Sequence, residues 1–106
     1  MVEYRLLPAA KRDIEAIYEY TKDTWGATQA RIYLTGLRRR LETLADFPKT
    51  APVSSFSSEI RVALYEKHRI LYRIIPEGIE VGLIPHQAQD IVPELERYAS
   101  LLARKS

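Results

Sequence analysis

Cysteine is absent from the 106 residues, and histidine occurs only twice, as His68 and His86. Disulfides and thiolate metal centres are therefore excluded, which accords with a reducing compartment. Two histidines far apart in the chain also argue against an imidazole metal site. Long apolar runs are missing too. None approaches the ~20 residues of a membrane span, and the N-terminus carries no signal-peptide pattern. There is no Gly-rich phosphate loop, no HExxH and no Ser or Cys nucleophile motif, and there are no repeats or low-complexity tracts. The expectation is a cytoplasmic protein without metal or cofactor, with residues 1–106 forming one domain.

What is present is ordinary for a globular chain: 46% hydrophobic and 28% charged residues. The formal net charge of +2 is too small to indicate a nucleic-acid partner by itself. Local density matters more, and it falls at Arg38-Arg39-Arg40 and between Lys67 and Arg73.

Glu3-Tyr4-Arg5-Leu6-Leu7 alternates polar and apolar and stops at Pro8, predicting a short strand that runs into a helix with proline in its first turn. From Pro8 to Thr24, Ala10, Ile14, Ile17 and Thr21 recur at helical spacing, and Tyr18 and Trp25 widen the stripe. Gly26 supplies a stop. A second helix over about Ala27 to Ala45 lines up Ala30, Tyr33, Leu34, Leu37, Leu41 and Leu44, with Arg31, Arg38 and Glu42 opposite. So short a break predicts an antiparallel helical hairpin. Lys49 to Ser58 reads as a loop. Ile60, Val62 and Leu64 alternate with Arg61, Ala63 and Tyr65, which predicts a strand. Arg69 to Ile75 is apolar on nearly both faces, as in a central strand. Gly78 permits a turn into the strand Ile79 to Ile84, and Pro85 ends it. A last helix over about Asp90 to Arg104 aligns Ile91, Leu95, Tyr98 and Leu102. The order β-α-α-β-β-β-α describes an α+β fold: an N-terminal strand, a helical hairpin on one face of a small antiparallel sheet, and a C-terminal helix.

If Ile60, Val62 and Leu64 face the hairpin, strand alternation puts Arg61, Arg69 and Arg73 on the face it leaves open. Three guanidiniums there suit phosphates or carboxylates, which each can hold bidentately; a solvated polar face is the alternative. His86, just past a strand end, has the position of a general acid or base over that face, or of a turn histidine bonded to backbone. His68 is expected to be a solvated turn residue. Trp25, Tyr18, Tyr20 and Tyr33 fit helix packing better than a base-stacking surface.

These residues also carry a resemblance. Tyr4-Arg5-Leu6, Pro8-Ala9-Ala10 and Asp13-Ile14 resemble the opening of ParE-type toxins, of the ParE/RelE superfamily of bacterial type II toxin–antitoxin systems. So do Ile17-Tyr18-Glu19-Tyr20-Thr21, Trp25-Gly26, and then Ala30, Tyr33 and Leu37. Arg69-Ile70-Leu71-Tyr72-Arg73-Ile74, Ile79-Glu80-Val81 and the strand-end His86 are similar to the family's closing hairpin, so the likeness spans roughly Val2 to Asp90. It implies a non-enzymatic toxin of plasmid-stabilisation type that poisons DNA gyrase and forms a hetero-oligomer with a ParD-like antitoxin. Arg61, Arg69, Arg73 and His86 are then the expected partner-binding residues. The alternatives are a RelE-type ribosome-dependent mRNA endonuclease, with Arg61, Arg73 and His86 in its site, and a non-toxic relic that only binds antitoxin. Two features favour the binding protein. Gln87 follows His86 where such nucleases add an aromatic acid–base residue, and arginines alone move no protons.

Overall fold

The structure, a computed structural model, describes residues 3–104. Its elements are β1 (Glu3–Leu6), α1 (Pro8–Trp25), α2 (Ala27–Asp46), β2 (Arg61–Tyr65), β3 (His68–Ile75), β4 (Gly78–Leu83) and α3 (Ile91–Arg104). Pro8 opens α1, where its missing N–H removes no helical bond. Gly26 closes α1 and opens α2 at once. Its N–H donates to Lys22 O at 2.9 Å, and its own carbonyl accepts from Ala30 N at 3.1 Å. A φ of +98° allows this one-residue reversal, which a side chain would oppose sterically.

The four strands run β1-β4-β3-β2. The β2–β3–β4 part is an antiparallel meander, while β1 joins β4 in parallel, so the sheet is mixed at one edge. The helical hairpin supplies the crossover that a parallel neighbour requires. Against one face, Ile17, Leu37, Leu41 and Leu44 of the hairpin pack on Ala63, Ile70, Tyr72, Ile79 and Val81.

The other face is covered as well, by α3. Leu95 and Tyr98 pack on Ile60, Leu71 and Leu83, with Val62 and Leu102 at the margin. This corrects the expectation of an open face. Ile60 and Val62 point toward α3, and Ala63 and Tyr65 toward the hairpin. Alternation identifies residues that share a face and does not say which layer covers it. Burial of every residue of β4 is the result. The fit of α3 depends on Gly82. The register passes from Tyr72↔Val81 to Leu71↔Leu83, leaving Gly82 as an extra residue at a bulge. The Tyr98 ring fills the space where a side chain on Gly82 would stand.

Candidate functional site

The register separates the arginines. Arg61 pairs with Tyr72, whose ring lies in the hairpin-side core, so Arg61 is on that side, where its Nη1 donates to Ala51 O at 2.7 Å. Arg69 and Arg73 are on the α3 side. Arg69 Nη1 donates to Gln89 O at 3.4 Å. Arg73 is the most engaged: its Nε and Nη2 donate to Glu80 at 3.0 and 3.3 Å, and Nη1 reaches Glu59 at 3.1 Å. Glu80 is 6% exposed, and its Oε1 also accepts from Tyr98 Oη at 3.0 Å. Burial and the neighbouring Glu80 carboxylate push the Tyr98 phenol well above its ordinary range. Guanidinium and phenol thus both donate to a carboxylate enclosed beneath α3, as burial of such a group requires. The three guanidiniums therefore do not form one anion site: two stand apart across the sheet and the third is occupied.

A different surface combines a groove with exposed apolar side chains. A groove of about 990 Å³ opens between the hairpin, the β2–β3 turn and the first turns of α3. Its floor holds Tyr33, Tyr65, His68 and His86, and Tyr20, Trp25 and Ile32 line its hairpin wall. Those three wall residues are 68%, 69% and 59% exposed, so Tyr20 and Trp25 are not the packing residues that helical spacing suggested. Ile32 is an aliphatic residue outside the buried stripe of Ala30, Leu37, Leu41 and Leu44. That misplacement was a signal in the sequence. Clustered exposed apolar side chains of this kind mark contact surfaces.

The floor is a connected aromatic assembly. Tyr65 Oη donates to Tyr33 O at 2.8 Å, and the two rings meet edge to face at 5.1 Å. Tyr33 Oη lies 2.6 Å from His68 Nδ1. His68 and His86, distant in sequence, face each other across an antiparallel bridge, with ring centroids 5.2 Å apart. Arg69 N donating to Pro85 O, and Gln87 N to Lys67 O, hold that bridge on both sides. His68 is half-buried, not the solvated turn residue expected. Burial, with His86 beside it, lowers its pKa to about 4. His86 does end as a turn residue bonded to backbone: Ala88 N donates to its Nδ1 at 3.0 Å. No group of three or more His, Cys, Asp or Glu that could hold a metal exists among the described residues.

The arrangement is thus a helical hairpin laid on one face of a small sheet, with a short helix on the other. A chain of the chromosomal ParDE TA system from P. aeruginosa matches it with a TM-score of 0.70 at 17% identity, over 81% of this chain and 96% of that one. Residues 4–91 match the family model described as ParE toxin of type II toxin-antitoxin system, parDE. Toxin ParE1 of Mycobacterium tuberculosis is 35% identical over 94 residues, covering 83% of this chain and 92% of that protein. Toxin ParE1 of Caulobacter vibrioides is 31% identical over 85 residues, covering 79% and 85%. The chain belongs to the ParE family of type II toxin–antitoxin toxins.

Proposed function

We propose that this toxin acts by binding, with DNA gyrase as its target, and that a ParD-like antitoxin neutralises it by seating a chain segment in the hairpin groove. The observation that carries the binding reading is the state of the arginines. A nuclease would need Arg61, Arg73 and His86 to converge on a phosphate and a ribose hydroxyl. Instead Arg61 is across the sheet from Arg73, and Arg73 is committed to Glu80 and Glu59. The apolar wall of Tyr20, Trp25 and Ile32 suits an amphipathic segment that is disordered alone and orders on binding. Arg61, Arg69 and His86 are proposed to add polar contacts to the partner, and Arg73 to hold Glu80 beneath α3.

Induction in a bacterium without antitoxin tests this. The expected outcome is growth arrest with an SOS response and cleaved DNA. Codon-phased message cuts within minutes, without SOS, would assign the endonuclease function instead, and unimpeded growth would mark a relic. His86→Gln is expected to leave arrest intact, because an amide keeps hydrogen bonding but exchanges no proton near neutral pH. If it abolishes arrest in a folded protein, His86 is an acid or base.

A further inference from the structure

The two imidazoles in the groove floor are each engaged at Nδ1. Ala88 N is a donor by nature, so His86 Nδ1 accepts, and the neutral ring carries its proton on Nε2. His68 Nδ1 faces the Tyr33 hydroxyl. Burial raises the Tyr33 pKa, so the phenol keeps its proton, while the Lys67 amide engages its oxygen. A tyrosine hydroxyl can both donate and accept, and with Tyr33 as the donor to Nδ1 the His68 proton lies on Nε2, the tautomer on which the inference depends. Neither Nε2 has a hydrogen-bond partner among the described residues, and no buried side-chain nitrogen or oxygen is left without one. Both Nε2–H groups must reach solvent, and both rings line the groove.

Two of the carboxylates nearby are already engaged. The Asp13 carboxylate accepts from Ile84 N at 2.8 Å, and Glu94 is paired with Arg97 at 3.3 Å. Lys67 makes no ion pair among the described residues and adds a cation, offset by its neighbour Glu66 in the turn. The end of the groove at the two rings thus presents unused donors beside the apolar wall of Tyr20, Trp25 and Ile32. Bare metal would not be drawn to it, because the lone pairs of both rings are already engaged at Nδ1.

We infer that the His68–His86 pair is a carboxylate-reading site, which fixes the register of the antitoxin segment by binding one of its Asp or Glu side chains through two Nε2–H donors. This rests on the groove being the antitoxin seat. Apolar contacts along the hairpin wall tolerate sliding, whereas a two-donor contact is satisfied in one position only.

Two measurements test it. In the free chain at neutral pH, long-range ¹H–¹⁵N spectra of ¹⁵N-histidine protein should show both rings protonated at Nε2; a proton on Nδ1 of either ring overturns the inference. The affinity of the ParD-like antitoxin encoded beside the toxin is then compared across variants. The double variant His68→Gln, His86→Gln places an amide N–H near each lost Nε2–H, and should bind within about 3-fold of the wild type. The double variant His68→Leu, His86→Leu should lose roughly 10- to 100-fold per donor, the range for bonds to a charged group. Single Asp→Asn and Glu→Gln changes through the antitoxin's C-terminal segment should include one that weakens wild-type binding about 10-fold and leaves binding to the Leu variant unchanged. Equal binding by the Leu variant, or no such acidic residue, overturns the site and leaves the groove reading intact. If the antitoxin does not bind the wild type at all, the groove reading itself fails.

Discussion

His68 illustrates how one side chain couples the groove to folding. Its pKa of about 4 in the fold compares with 6.5 for the free imidazole. Between those values the unfolded chain takes up a proton that the folded ring refuses, so the ring's stabilising contribution is complete above pH 6.5 and is lost as the pH falls toward 4. Discounted for the solvent reaching a half-buried ring, the loss is about 1–2 kcal/mol. Melting temperature should therefore fall from pH 7 to pH 4, and His68→Gln should flatten that part of the profile. Tyr98→Phe tests the other buried polar cluster. It removes the phenol from Glu80 while leaving the Arg73 guanidinium on the carboxylate, for a cost of about 1–3 kcal/mol in urea unfolding. A variant as stable as the wild type would show that water replaces the phenol.

At the level of elements, the helices were the legible part. Leu37, Leu41 and Leu44 repeat at helical spacing, and Gly26 has the stop residue's conformation, so both helices end where the pattern does. The sheet was legible strand by strand but not as layers. Ile60 and Val62 belong to the face beneath α3, and nothing in their alternation distinguishes that face from the hairpin's. The apolar stripe of α3 itself was visible, and it required a surface to cover; Leu71 of β3 and Leu83 of β4 belong to that surface. The candidate site was the least legible. His68 and His86 meet only through pairing of residues far apart in sequence, and Arg73 is neutralised by Glu59 and Glu80, which sit on other segments. Docking of α3 gives a prediction at this scale. Gly82→Leu would force the Tyr98 ring away from the bulge and lift the helix from Leu71 and Leu83. A loss of about 2–4 kcal/mol and new binding of a hydrophobic dye are expected, because overpacking here also undoes the burial on that face.

Taken whole, the molecule keeps its stability and its contact surface in different places. The core lies between hairpin and sheet and between sheet and α3, while Tyr20, Trp25 and Ile32 stand outside both. Trp25→Ala and Ile32→Ala should accordingly change unfolding free energy by no more than about 0.5 kcal/mol each. In antitoxin binding the tryptophan should behave as a hot spot, with Trp25→Ala costing 2 kcal/mol or more, roughly 30-fold in affinity. Equal effects on stability and binding would mean that the wall residues support the fold.

Trp25 is also the chain's sole tryptophan, and its position at the hairpin tip makes it a reporter with an unusual bias. In most small domains indole emission follows unfolding, because folding takes the ring out of water. Here the ring is 69% exposed in the folded chain, so its emission already resembles that of a solvated indole. Denaturation followed by fluorescence should give a nearly flat trace where circular dichroism gives a sigmoid. Titration with a partner that covers the hairpin wall should shift the emission to the blue, so the natural chain, without a dye or a tag, carries an optical signal for occupancy of its groove.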